Sequence, residues 1–201
     1  MIEHHIDIET DDGTMATFIS HPDAGGTYPV VLFLMDAPGK REELHDMARR
    51  ISATGYYVIL SNLYYREVRS FTLHREDPAS AEYMFKLMSN LRNDMVARDA
   101  ASMIAYAEAD VVADASRIGV TGYCMSGPFA LWLLAELPDV IKSAASIHGV
   151  RLAVDAEDSP HSRAPEMVGE ILVMAAEYDD YVDRAHYDRL VATLDDAGAN
   201  A

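Results

Sequence analysis

The hexapeptide Gly122-Tyr123-Cys124-Met125-Ser126-Gly127 holds the only cysteine of a 201-residue chain. The run Arg117-Ile118-Gly119-Val120-Thr121 before it has the composition of a buried strand, and Pro128 to Ala135 after it has that of a helix. The cysteine therefore falls on a sharp strand-to-helix turn. On such a turn the side chain projects beyond the carboxyl ends of the sheet in a strained conformation, and its neighbours must be small. Gly122 meets that demand. On the other side the pattern prefers glycine at 126, where Ser126 stands with Gly127 behind it. A thiol at a helix N-terminus ionises more readily, and the thiolate is the form that attacks a carbonyl carbon. The spacing points to nucleophilic catalysis, set against the commoner role of a lone buried cysteine as a small hydrophobe.

A thiol nucleophile works with a base that takes its proton and a carboxylate that orients the base. In open α/β sheets such groups gather beyond the carboxyl ends of the strands. Three further strand ends carry chemistry: Asp36-Ala37, His148-Gly149 and Glu177-Tyr178-Asp179-Asp180. In the order nucleophile, acid, base, Asp179 fits the acid; the plainer reading makes it a cap for a helix starting near 183. His186 is the one histidine after it, only seven residues on and inside a predicted helix. His148 and His161 come earlier and read as strand-end or loop histidines bonded to backbone.

The elements that would position these residues are legible in the pattern. His4 to Glu9 and Thr14 to Ser20 alternate apolar and polar residues around the turn Asp11-Asp12-Gly13, predicting an edge hairpin. Pro29 to Met35 is a continuous apolar run, as in a central parallel strand. Arg41 to Thr54 has helical spacing and stops at Gly55. A strand follows at Tyr56 to Leu60, and helical patterning returns at Ala81 to Met88 and Asn93 to Ala109. Ile141 to Ile147 reads as a strand, Leu152 to Pro165 as a long loop, Ile171 to Ala175 as a strand and Asp183 to Ala197 as a helix. The expected fold is a single α/β domain over 1–201: a mainly parallel central sheet with helices on both faces, entered through an N-terminal hairpin.

Composition narrows the function. Half of the residues are hydrophobic, enough for a sizeable core. With 16 basic and 33 acidic residues the formal net charge is −17, which repels nucleic acid and anionic membranes. No stretch approaches the roughly 20 apolar residues of a membrane span. The start, Met1-Ile2-Glu3-His4-His5, is not a signal peptide, so a cytoplasmic location is expected. No cofactor or metal-ligating pattern is read, and a homo-oligomer is compatible with the sequence.

Together the segments Met35-Asp36-Ala37-Pro38-Gly39, Gly55-Tyr56-Tyr57-Val58, Asn62-Leu63-Tyr64-Tyr65-Arg66, Gly119 to Gly127, Ser146-Ile147-His148-Gly149, Ser159-Pro160-His161 and Glu177 to Val182 resemble, in collinear order, the dienelactone hydrolase family of the α/β-hydrolase superfamily. The resemblance implies hydrolysis of a lactone or small carboxylic ester by a cysteine, aspartate and histidine triad. Cys124 matches the nucleophile and Asp179 the acid. Asp36 matches an acidic residue that contacts the resting thiol, and the backbone N–H groups of Met125 and Ala37 match the oxyanion hole. Arg66 and Arg75 are candidates, by vicinity alone, for holding a substrate carboxylate, and the resemblance assigns neither to the site. The family continues after the helix ending at Leu194 to Gly198 into another strand, a His-Gly element with the base, and a final helix. This sequence stops at Ala201, so the expectation is a C-terminally truncated fold supplying nucleophile and acid without the base. Two other readings stay open. One is a weak or inactive binding domain of the same fold. The other is an amidotransferase-like or redox-active cysteine domain, the first form of which would need a later His-x-Glu that is absent.

Overall fold

Residues 28–34 and 57–61 are apolar almost throughout, and such segments can only be buried on both faces. In a computed structural model of the chain, which describes residues 1–201, they form two neighbouring parallel strands. The chain divides into two compact units, Met1–Ile118 and Gly119–Ala201.

In the first unit, β1 (Ile2–Thr10) and β2 (Gly13–His21) form the expected antiparallel hairpin. The Thr10 hydroxyl donates to the Gly13 carbonyl at 2.8 Å, and Gly13 turns the chain at φ 133°. β2 pairs antiparallel with β4 (Tyr57–Ser61), and β4 pairs parallel with β3 (Tyr28–Leu34), giving the order β1-β2-β4-β3. The core is built here from Phe18, Ile19, Leu32, Phe33, Leu34 and Tyr57 to Leu60, all buried.

Helix α1 (Glu42–Ala53) buries Leu44, His45, Ala48 and Ser52, one face of a 3.6-residue period, against β2 and β4. The Ser52 hydroxyl donates to the Ser20 carbonyl at 2.8 Å and fixes the helix to β2. α2 (Pro78–Ser89) starts three residues before the periodicity begins. Asp77 caps it by accepting from the Ala79 amide at 3.0 Å, and Pro78 takes the first helical position, where no N–H is needed. α3 (Asn93–Ala109) packs on β1 and β3.

β5 (Ala113–Tyr123) begins in the first unit and ends in the second. It is longer at both ends than the apolar run 117–121. The second unit continues with α4 (Gly127–Glu136), β6 (Ile141–Ile147), β7 (Glu170–Met174) and α5 (Arg184–Asp196), in the strand order β5-β6-β7 with β6 and β7 parallel. α4 is buried nearly all round and lies on β6. The expected long loop is not wholly irregular. Pro160 opens a short 3₁₀ segment, Pro160–Glu166, its fixed φ favouring a tight turn, and this packs against α4 and α5. Strand types and order otherwise follow the α/β pattern read from the sequence.

Candidate active site

β5 ends at Tyr123, residues Cys124–Ser126 make one 3₁₀ turn, and α4 starts at Gly127. Cys124 sits at φ 51°, in the left-handed region that costs an ordinary side chain on the order of 1–2 kcal/mol. A strained, half-buried thiol outside any disulfide, at the start of a helix, is the arrangement expected of a nucleophile elbow.

The need for small neighbours falls on Gly122, as the motif suggested, and on Gly127 rather than on position 126. A Cβ on Gly122 would lie 2.0 Å from the Ser126 carbonyl oxygen, because the turn folds its own backbone back over that position. A Cβ on Gly127 would lie 2.5 Å from both the Gly149 Cα and the Ser146 Oγ. Ser126 is fully buried, but its side chain is accommodated. The turn thus requires glycine at 122 and 127, which explains how serine stands where glycine was preferred. The Cys124 carbonyl accepts from the Val150 amide at 3.2 Å, tying the turn to the segment after β6.

Asp179 lies in the segment between β7 and α5. Its Oδ1 accepts from the Tyr181 amide at 2.8 Å, and α5 is capped by Asp183 instead, whose carboxylate accepts from the His186 amide at 2.9 Å. The capping alternative for Asp179 is therefore not the one the fold uses. Tyr187 lies on the buried face of α5. Its phenol is held above its ordinary pKa first by burial, then by the charge of Asp179, then by that of Cys124. The hydroxyl also points to the Gly149 carbonyl, at 3.5 Å. Sequence reasoning missed Tyr187: with Leu190 and Leu194 it forms the buried stripe of α5, so its spacing is that of a core residue.

Two of the three histidines of this unit are bonded into the scaffold. His186 Nε2 accepts from the amides of Leu152 at 2.9 Å and Ala153 at 3.3 Å, and burial holds its pKa below the ordinary value. Its lone pair is occupied, so it is not free to take the thiol proton. His161 is buried with Nδ1 2.8 Å from the Ser159 hydroxyl, its pKa lowered first by burial and then by Arg189. His148 is exposed at φ 40° beyond β6, its amide bonded to the Met174 carbonyl at 2.7 Å.

In the first unit, Asp36 and Ala37 follow β3 in a tight turn closed by the Gly39 amide on the Asp36 carbonyl at 3.0 Å, with Gly39 at φ 86°. The Asp36 carboxylate is clasped by both terminal nitrogens of Arg41, at 2.5 and 2.9 Å. The Ala37 carbonyl accepts from the Tyr64 hydroxyl at 2.8 Å. Arg66 is spoken for: it donates to Asp12 and to the fully buried Asp99, whose carboxylate also accepts from the Tyr65 hydroxyl at 2.8 Å. Arg75 is exposed. No group of three or more His, Cys, Asp or Glu is placed to hold a metal ion, and no helix is long and apolar enough to cross a membrane.

A model of the dienelactone hydrolase family matches residues 15–201. A "Putative carboxymethylenebutenolidase" of Methylorubrum extorquens is 26% identical over 202 residues, spanning 98% of this chain and 67% of that protein. A protein of the same name from Synechocystis is 29% identical over 135 residues, 67% of this chain and 54% of its own length. Among solved structures, the "Putative Dienelactone Hydrolase" of Klebsiella pneumoniae superposes over the whole chain and 82% of its own with a TM-score of 0.86 at 23% identity. The dienelactone hydrolase of Anabaena variabilis follows at a TM-score of 0.65 and 18% identity. At these identities the structures establish the fold, that of the α/β-hydrolases.

Proposed function

The chain belongs to the dienelactone hydrolase family, and from that membership we propose that it hydrolyses a lactone or small carboxylic ester through the thiolate of Cys124. The observation that carries the reading is the positive φ of Cys124 on a turn from β5 into α4, with no room for a side chain at 122. A fold holds an ordinary residue in that conformation only where the surroundings over-determine it, and such positions cluster at reacting groups.

The steps follow from thiol chemistry. The thiolate adds to the ester carbonyl carbon, and the carbonyl π pair moves to oxygen. The backbone N–H of Met125, at the head of α4, is suited to hold that oxyanion; the family pattern adds the N–H of Ala37 as second donor and Asp36 as the carboxylate near the resting thiol. A donor of this kind is worth a few kcal/mol in the transition state. Collapse expels the alkoxide, which takes up a proton, and leaves an acyl-thioenzyme. Water then cleaves the thioester, releasing the acid and restoring the thiol. By the family pattern Asp179 is the acid, the carboxylate that orients a histidine base.

Cys124→Ala tests the proposal. Hydrolysis of p-nitrophenyl acetate should fall to the uncatalysed rate while the circular dichroism spectrum is unchanged. Turnover equal to that of the unmodified protein would remove Cys124 from the reaction.

A further inference from the structure

The first unit contains a cavity that the proposed hydrolysis does not use. It is an open cleft of about 350 Å³ between the β1–β2 hairpin and the segments following β3 and β4, lined by His5, Asp7, Thr17, Lys40, Arg69 and Ser70 among others. That volume lies within the usual range for small-molecule sites, about 300–1,000 Å³. Its charge is unusual for this molecule. On a chain of net −17, it gathers an ammonium and a guanidinium around a single carboxylate.

That carboxylate is already engaged. One terminal nitrogen of Arg69 donates to both oxygens of Asp7, at 2.9 and 3.0 Å, leaving the other N–H groups of the guanidinium for a further acceptor. Lys40 follows the left-handed turn at Gly39 and carries its ammonium into the cleft half-buried. What bears on it is burial, then the like charge of Arg69, and only then Asp7, with no hydrogen bond among the influences. A part-buried cation lying closer in effect to another cation than to its counterion is costly unless an anion joins it.

A second observation lies behind His5. His45, on α1 and over nine-tenths buried, stacks on Phe18 at 4.4 Å and meets His5 edge-on at 5.2 Å, and it too feels the charge of Lys40. Its Nδ1 is bonded to Glu42 at 3.1 Å, and its Nε2 is buried with no partner. Behind His5, which lines the cleft, the fold therefore leaves one buried polar atom without a hydrogen-bond partner.

We propose that this cleft binds the oxyanion group of a small molecule, a phosphate or carboxylate, held by Lys40, the free donors of Arg69 and the Ser70 hydroxyl. Lys40 gives the point charge and Arg69 the planar donors suited to two oxygens of one group. The site is independent of Cys124, and its test does not involve ester turnover.

The chain has only three lysines, Lys40, Lys86 and Lys142, and the last two are exposed, so each can be followed separately by mass spectrometry. The intact protein is acetylated with a trace of acetic anhydride, with inorganic phosphate or acetate titrated against sodium chloride at matched ionic strength. The expected result is at least a fivefold slowing at Lys40 alone, saturating with phosphate or acetate but not chloride. Whichever of the two protects at lower concentration identifies the oxyanion. Protection of all three lysines alike, or none at Lys40, overturns the proposal. Asp7→Asn supplies a readout of opposite sign: freed from its carboxylate, Arg69 should lower the protecting concentration several-fold, whereas a purely structural role for Asp7 would leave it unchanged or raise it, and either of those results also counts against the site.

Discussion

Gly122→Ala isolates the geometry of the Cys124 turn from its chemistry, because it adds one methyl group and removes nothing. The new Cβ would stand 2.0 Å from the Ser126 carbonyl oxygen, 2.5 Å from its carbonyl carbon and 3.0 Å from the Gly127 nitrogen, where real Cβ atoms essentially never come within 3.0 Å. All three atoms are backbone, so no rotamer change relieves the clash. The turn must open by on the order of 1 Å, and overpacking of this kind costs about 1–3 kcal/mol, here at the upper end. A displacement of about 1 Å at a reacting group typically costs on the order of 10²-fold in rate. Two other glycines calibrate the effect. Gly119→Ala meets the Ser143 Oγ at 2.8 Å, a hydroxyl that can rotate away, and should cost under about 1 kcal/mol. Gly25→Ala meets nothing within 4 Å but sits at φ 75°, so it should cost about 1–2 kcal/mol of backbone strain alone. Urea unfolding followed by far-ultraviolet circular dichroism gives the three stabilities. The rate of Cys124 with a disulfide reagent, beside p-nitrophenyl acetate turnover, reports the turn. The order should be Gly119, Gly25, Gly122 from mildest to most severe, with thiol reactivity altered only in the last. Gly122→Ala within about 1 kcal/mol of the parent and with unchanged thiol reactivity would refute the reasoning.

Two further outcomes are expected of the scaffold. Asp99→Ala strips the part-buried Arg66 guanidinium and the buried Tyr65 phenol of their shared acceptor and should destabilise the protein by about 3 kcal/mol, since breaking a buried ion pair costs about 3–5 kcal/mol and Asp12 remains as partner; a loss below about 1 kcal/mol by urea unfolding would contradict it. His45, His161 and His186 all have folded pKa values below the ordinary 6.5, with burial as the largest cause, so the unfolded chain binds more protons below that pH and stability should fall progressively from about pH 7 toward pH 5; a urea midpoint flat or rising across that window would exclude it.

Much of this was legible in the residue pattern because each signal was local. The alternation in β1 and β2, the unbroken apolar runs of β3 and β4, and the Gly55 stop after α1 are properties of a few consecutive residues, and they survive folding unchanged. β6 matches the strand read at Ile141 to Ile147 to the residue. The start of α2 was missed because Asp77 and Pro78 carry it as a cap rather than as hydrophobic spacing, and the 3₁₀ segment at Pro160 was missed because it has no period to detect.

What stayed hidden is non-local. Nothing in Asp36-Ala37-Pro38-Gly39 announces that Arg41 will turn back to grip Asp36, because either side chain could equally have faced solvent; the choice follows from the turn that Gly39 permits. Tyr187 was unreadable for the opposite reason. A tyrosine in an apolar helical stripe serves the core by its ring, and only the position of a segment far off in the sequence, at Gly149, decides what its hydroxyl meets. The same logic governs the elbow. A motif records which side chains are tolerated at each position, but the requirement for glycine belongs to pairs of backbone atoms, 122 against 126 and 127 against 149, so serine at 126 departs from the motif without disturbing the geometry the motif exists to secure. The chemistry proposed for Cys124 is tied to those pairs of backbone atoms more closely than to the six letters around it.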